Sequence, residues 1–343
     1  MPNLYLAAGA LAVVVVSAVL TKLVRDAAHR RGLLDQPNHR SSHARPTPRT
    51  GGVAIAVAAA LGWASYLTWV GLSGPALVLA VGALLTSALG LLDDISTLRP
   101  APKFVGQVVL AIPVIWLLPS AFVAWPSWVG ASVSVFWIVG YTNALNFMDG
   151  SDGLAAGETV IITATLAVFA WAAQPAVSWL SLFLAAAALG FLVFNRPPAS
   201  IFMGDAGSFF LGFSIATMAL LLVAAGVSAL ALIVLLSPFL FDTSFTLGRR
   251  LARGEQVWLA HREHLYQRLL VAGHSHGLVA RRYYFWQIVA AVSAGCVQYG
   301  SWSVQVAAVG VAAAASISVV LFVNRQERAG ILGSASGRFG AHS

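Results

Sequence analysis

Five aspartates of this chain fall where a long apolar run ends or begins, and acids in such places can hold cations or phosphates. Asp93 and Asp94 close the run Leu91-Leu92-Asp93-Asp94. A helix C-terminus carries partial negative charge, so adjacent carboxylates there repel each other and the dipole. Either the pair is a solvated helix end, or a cation or lysine compensates it, and ionisable groups at membrane depth mark function. Asn143 and Asn146, three apart, share a helix face that Asp149 continues. Gly150 and Gly153 around Asp152 let the chain turn tightly and a ligand approach the backbone. Carboxylate and amide oxygens are what Mg²⁺ prefers, with phosphate oxygens completing its shell; the competing reading is a polar loop with Asx-turns. Asp205, in Met203-Gly204-Asp205-Ala206-Gly207-Ser208, either caps the helix that follows or joins a phosphate cradle at its N-terminus. Asp242 lies inside a later run and suits a structural pair with a polar neighbour.

Two basic stretches complete the set. Arg40 to Gly52 contains Arg45 and Arg49 among prolines and glycines, a loop suited to contacting anions. His261-Arg262-Glu263-His264 places two histidines three apart. Without a third nearby ligand or an H-E-x-x-H spacing, contact with phosphate or sugar hydroxyls is expected there rather than zinc. Together these residues describe a Mg²⁺–diphosphate site.

The elements that must position them are membrane helices. A mean hydropathy of +0.81, with 59% hydrophobic and 9% charged residues in 343 positions, excludes a soluble globular protein. Crossing a bilayer as a helix takes about 20 apolar residues. Eleven candidate spans follow: 3–24, 51–71, 75–92, 103–118, 131–147, 154–173, 178–194, 207–225, 228–248, 283–300 and 302–323. None alternates with period two, so helices are expected and a barrel is not. The first span is read as retained, not as a cleaved signal. All 20 Lys and Arg residues fall in alternate gaps and the tail. By the positive-inside rule those gaps are cytoplasmic, with the N-terminus outside and the C-terminus inside. The twelve acids lie on the same side, which that rule does not require. The expected architecture is therefore all-α and polytopic, one domain over 1–325 with a flexible tail over 326–343. The net charge of +8 reports topology; no nucleic-acid-reading module accompanies it. The single cysteine, Cys296, permits no disulfide framework.

The motifs Pro46-Thr47-Pro48-Arg49-Thr50-Gly51-Gly52, Leu92-Asp93-Asp94, Asn143 to Leu154, Phe194-Asn195, Phe202 to Ser208, Asp242-Thr243 with Arg249-Arg250, and His261 to His264 occur in one order. In that combination the chain resembles the polyprenyl-phosphate N-acetylhexosamine-1-phosphate transferases, bacterial glycosyltransferase family 4. The resemblance covers about residues 25–270. It implies transfer of a sugar-1-phosphate from a UDP-N-acetylhexosamine to undecaprenyl phosphate at the inner membrane, releasing UMP. It implies Asp205 and Asn146 as Mg²⁺ ligands, with Mn²⁺ able to substitute. By the same pattern Asp93 and Asp94 lie near the lipid phosphate and metal, and Asp149, Asp152, His261 and His264 join them as catalytic candidates. Arg45, Arg49, Asn143, Asn195 and Arg262 are implied as substrate contacts, and Phe202 as the ring stacked on uracil. Membrane lipid is an implied partner, and a homodimer an open one.

One departure bears on the donor. Related GlcNAc initiators carry Asp-Arg-x-His-x-His-His-Arg in the last loop, where this chain reads His261-Arg262-Glu263-His264-Leu265-Tyr266-Gln267-Arg268. The His/Tyr/Gln version looks like the O-antigen branch using 6-deoxy donors such as UDP-FucNAc or UDP-QuiNAc, UDP-GlcNAc being the alternative. The missing His-His-His-Phe-Glu run argues against the peptidoglycan translocase. A secondary transporter, the rival of another class, would need polar groups at the bilayer midplane and an inverted repeat; the acids cluster at span ends instead.

Overall fold

A helix that is apolar on every side has no face for water, and each of the eleven apolar runs folds as one. The computed structural model describes residues 2–32, 34–35, 46–71, 74–117, 126–259 and 261–339. Its helices are α1 (Pro2–Arg31), α2 (Gly52–Val70), α3 (Gly74–Ser96), α4 (Pro100–Leu117), α5 (Ser127–Met148), α6 (Leu154–Ala173), α7 (Pro175–Asn195), α8 (Gly204–Ala224), α9 (Ala229–Ala252), α10 (Leu265–Val271), α11 (His276–Tyr299) and α12 (Trp302–Phe339). All eleven expected spans land on helices, α10 being the addition. Among the described residues, nine helices are long and apolar enough to cross a membrane. α4 is apolar over only Pro100–Trp116 and contains Pro113. α11 falls short because Tyr283, Tyr284, Gln287 and Gln298 dilute its apolar residues. α10, seven residues long, is too short to show a helical period in sequence.

The helices surround α8. Its most apolar stretch is 94% buried, against 17% for α1 and 22% for α12, which lie at the periphery. α2, α3, α5, α6, α7 and α9 all pack on it. Apolar burial drives little association between helices in lipid, so close packing and interhelical hydrogen bonds hold such bundles together. Both are present. A Cβ on Gly52 would sit 2.2 Å from Gly207 Cα, and one on Gly90 2.2 Å from the Asp205 carbonyl oxygen. Trp63 Nε1 donates to Leu180 O at 2.9 Å, Trp137 Nε1 to Ala216 O at 3.1 Å, and Ser17 Oγ to Ala187 O at 2.6 Å.

Two connections matter for the site. A short ladder pairs β1 (Leu34–Asp35) with β2 (Thr47–Pro48). The chain after it is laced to the segment before α8: Phe202 N donates to Pro48 O, Gly51 N to Phe202 O and Gly52 N to Met203 O, at 2.8–2.9 Å. This fixes Arg49 beside the start of α8. At the far end, Arg268 of α10 bonds Asn324 and Glu327 of α12 at 2.6–2.7 Å. The expected boundary at residue 325 therefore falls inside a pinned helix.

Gly90→Ala forces α3 away from α8 and is expected to cost about 1–3 kcal/mol by overpacking. Gly140→Ala, where a Cβ would meet nothing within 4 Å, should be neutral or stabilising. Thermal unfolding of the two variants in detergent checks the contrast.

Candidate active site

The first N–H groups of a helix lack partners within it, and at α8 they are met by an acid from α3. Asp205 N and Ala206 N donate to Asp94 Oδ1 and Oδ2, each at 3.0 Å. The Asp94 side chain has no exposure, and Arg49 Nε lies 3.1 Å from its Oδ1. Gly204, at φ +73°, lets the chain pass this carboxylate; a Cβ there would sit 2.6 Å from Asp94 Oδ2. Of the acidic pair, Asp94 is thus committed to α8 and Arg49.

Asp93 Oδ2 pairs with Lys103 Nζ at 2.7 Å, and its Oδ1 accepts from Leu98 N at 2.6 Å. Lys103, at the start of α4, also reaches Asp205 Oδ2 at 3.7 Å. Arg49 Nη2 lies 3.4 Å from Asp205 Oδ1. Asn146 Nδ2 donates to the same oxygen at 3.0 Å and to Ser208 Oγ at 2.9 Å. Asp149 ends α5 beside this group; burial first, then the Asp205 charge, lift its carboxyl well above the usual carboxylate range. Burial opposes the charge of Arg49, yet Asp94 and Asp205 outweigh it and hold its guanidinium above the ordinary arginine range. The structure thus brings together Arg49, Asp93, Asp94, Asn146, Asp149 and Asp205. Asn143 shares the Asn146 face but bonds Gln107 Oε1 of α4 at 2.6 Å.

One flank is formed by two stitched loops. Asp152 Oδ2 accepts from Ala199 N at 2.9 Å. Asn195 Oδ1 accepts from Gly153 N at 3.0 Å, while its Nδ2 donates to Ile201 O at 2.9 Å. Asn195 is 4% exposed, so its side chain braces the segment that presents Phe202. The other flank is the last loop. Asp242 accepts from Leu265 N at 2.9 Å, Tyr266 N at 3.4 Å and the Tyr283 hydroxyl at 2.6 Å, and lies 3.2 Å from His264 Nδ1. This is the structural pairing expected of it. His264 is buried and stacks on Phe147 with ring centroids 5.6 Å apart. The Tyr266 hydroxyl donates to Phe147 O at 2.9 Å. His261 Nδ1 accepts from Glu263 N at 3.3 Å; burial, with His264 and Arg250 adding to it, pushes its pKa down to about 4. Arg262 is half-buried in the same loop. Arg45 lies outside the described residues.

Residues 76–223, which hold every acid of the central cluster, match glycosyl transferase family 4. A probable undecaprenyl-phosphate N-acetylglucosaminyl 1-phosphate transferase of Bacillus subtilis is 35% identical over 80% of this chain and 80% of its own. The chain belongs to glycosyl transferase family 4. Within it, the polyprenyl-phosphate N-acetylhexosamine-1-phosphate transferases are the matching group. A decaprenyl-phosphate N-acetylglucosaminephosphotransferase of Mycolicibacterium smegmatis is 33% identical over 90% of this chain and 86% of its own. A phospho-N-acetylmuramoyl-pentapeptide-transferase of Lactobacillus johnsonii is 34% identical, over 51% of this chain and 62% of its own.

Sequence reasoning missed three polar residues near this family 4 site. Lys103 and Gln107 lie one turn apart on α4 and meet Asp93 and Asn143, contacts that no motif in the sequence signals. Glu158, one turn into α6, is fully buried, and neither of its oxygens has a hydrogen-bond partner among the described residues. Among those residues no three His, Cys, Asp or Glu side chains are arranged to hold a metal by themselves. The central cluster nonetheless fits a divalent cation shared with a substrate. Four carboxylates (Asp93, Asp94, Asp149, Asp205) stand against two cations (Arg49, Lys103). The donors are all oxygens and amides, and Mg²⁺ is usually held by one or two carboxylates plus phosphate oxygens.

Asp94→Ala strands two α8 amides and one face of Arg49, at about 1–3 kcal/mol for each buried donor left unmet. Its melting temperature should fall well below that of Asp93→Asn, which keeps an acceptor for Leu98 N. Thermal unfolding of the two purified variants checks the contrast.

Proposed function

We propose that this chain transfers an N-acetylhexosamine-1-phosphate from a UDP-sugar to undecaprenyl phosphate, releasing UMP, at the cytoplasmic face of a bacterial inner membrane. The observation that carries the reading is the meeting of Asp93, Asn146, Asp205, Arg49 and Lys103 at the charged end of the most buried helix. Relatives named for this reaction support it, and the one-sided placement of Lys and Arg supports the orientation.

The chemistry asks more of placement than of activation. A phosphate monoester has a second pKa of about 6, so the lipid phosphate arrives largely as a dianion. Its oxygen attacks the sugar-linked phosphorus of the diphosphate in line. The new phosphorus–oxygen bond forms as the bridging bond breaks, and the bridging oxygen leaves with UMP. Arg49 and Lys103 offset the charge of two meeting polyanions. Asp93, held by Lys103, orients the acceptor or takes its residual proton. Asp205 and Asn146 would hold Mg²⁺, or Mn²⁺ in its place, which when bound neutralises charge on the diphosphate oxygens. Phe202, on the braced loop, offers its ring to the uracil.

UDP-GlcNAc is the donor this reading favours. The resemblance to the 6-deoxy branch rests on Tyr266 and Gln267 standing where related loops carry histidine. Tyr266 is buried with its hydroxyl on Phe147 O, and Gln267 Oε1 accepts from His264 N at 3.2 Å. Both are occupied with packing the loop, and the relatives' names specify N-acetylglucosamine.

The test is UMP release by purified protein in detergent with undecaprenyl phosphate, Mg²⁺, and UDP-GlcNAc, UDP-FucNAc or UDP-QuiNAc. UMP release with UDP-GlcNAc is expected; failure to release UMP with any of the three donors would overturn the assignment. Asp205→Asn should lower kcat by roughly a hundredfold or more and raise the Mg²⁺ concentration needed for half-activity. Exchange of labelled UMP into UDP-sugar without lipid acceptor would favour an aspartyl-phosphate route over direct attack.

A further inference from the structure

His276, the first residue of α11, belongs to none of the motifs above, yet it holds the loop that holds the donor flank. Asp152 N donates to its Nδ1 at 3.2 Å, and Ser151 Oγ lies 3.1 Å from the same nitrogen. Two donors converging on Nδ1 require a lone pair there and place the ring proton on Nε2. Asp152 Oδ1 is farther, at 3.7 Å, so the group is not a hydrolase-like triad, which needs both ring nitrogens.

The consequence passes through Asp152. Its backbone is held by His276 on one side while its Oδ2 holds Ala199 N on the other. Asn195 makes the parallel stitch from Gly153 to Ile201. α11 reinforces the clamp, because the Tyr284 hydroxyl donates to Gly153 O at 2.5 Å. Gly153 sits at φ +74°, and a Cβ there would meet Pro197 Cδ and the Tyr284 hydroxyl at 3.2 Å each. One residue beyond the stitched segment comes Phe202. α11 itself packs on α6, α9, α10 and α12, whereas Asp93 and Lys103 belong to α3 and α4.

We infer that His276 is a positioning residue for the UDP-sugar, acting through Asp152 and the loop that carries Phe202; the inference rests on the proposed function. It acts as a hydrogen-bond acceptor, and it governs donor binding more than acceptor binding. His276→Leu removes that acceptor. It should weaken UMP binding, measured by calorimetry, and raise the KM for UDP-GlcNAc, each by about tenfold for two lost hydrogen bonds. The KM for undecaprenyl phosphate should stay within about twofold, a factor that corresponds to only a few tenths of a kcal/mol. His276→Asn, whose Oδ1 can take the place of Nδ1, should recover UMP binding to within about threefold of wild type. Ser151→Ala removes one of the two donors and should give an intermediate loss, providing the same reading if the leucine variant does not fold.

Unchanged UMP binding in His276→Leu and Ser151→Ala would overturn the inference. So would an Asn variant no better than Leu, or equal losses for both substrates. A wild-type protein that releases no UMP with any donor would instead overturn the proposed function.

Discussion

The carboxylate of Asp94 against the first amides of α8 is the contact on which the site depends. On α3 alone, two acids at a C-terminus are doubly unfavourable, since they repel each other and the helix dipole. The N-terminus of α8 reverses that account by presenting unmet N–H groups and positive potential where the acid needs them. Such charge-assisted bonds are short and strong, and leaving one partner buried alone is costly. The close approach they require explains the glycines around them. Gly90 admits the Asp205 carbonyl against α3, Gly52 admits Gly207 against α2, and Gly204 turns past the carboxylate.

From this anchor the electrostatics divide by role. Asp94 is saturated by two amides and Arg49 and is withdrawn from solvent. Asp93 and Asp205 keep cationic partners instead, Lys103 between them and Arg49 on the far side. Cations held in place by neighbouring acids need no reorganisation when charge shifts, the property that makes preorganised groups effective on phosphoryl transfer. On the proposed reaction, a diphosphate and a lipid phosphate arrive at arginine and lysine already aimed. The same reading accounts for a site at span ends, where a substrate dissolved in water can meet one anchored in lipid.

Much of this was legible in the sequence, and the part that was not has a common cause. Apolar runs of spanning length declare helices because lipid supplies no hydrogen-bond partners, and the expected runs fall on helices, nine of which among the described residues are long and apolar enough to cross a membrane. The acids and amides of the central cluster were legible because carboxylates at the ends of apolar runs are costly and demand a reason. What stayed hidden depends on partners distant in the chain. Asp93 and Asp94 are adjacent and identical in sequence, and only α8 tells them apart. Lys103 looked like one more topological cation until α4 folded back on α3. His276 carried no motif, because its partners Ser151 and Asp152 are over a hundred residues away. Tyr266 and Gln267 likewise showed no packing role in the sequence, because their partners are set by the fold of the loop.

The last loop shows why substitutions there matter beyond their own contacts. Asp242 of α9 gathers the backbone of Leu265 and Tyr266, the His264 ring and the Tyr283 hydroxyl of α11 on one buried carboxylate. α10 is thereby fixed to two helices, and through Tyr266 and the Phe147 carbonyl to a third. Phe147 is the neighbour of Asn146, so the histidine loop and the Asn146–Asp205 pair share one rigid support. Interiors this tightly packed transmit displacement instead of absorbing it. A residue change that lets α10 tilt would move His264 and Asn146 together. The histidine loop and the Asn146–Asp205 pair are therefore coupled through the end of α5, and neither can shift far without the other.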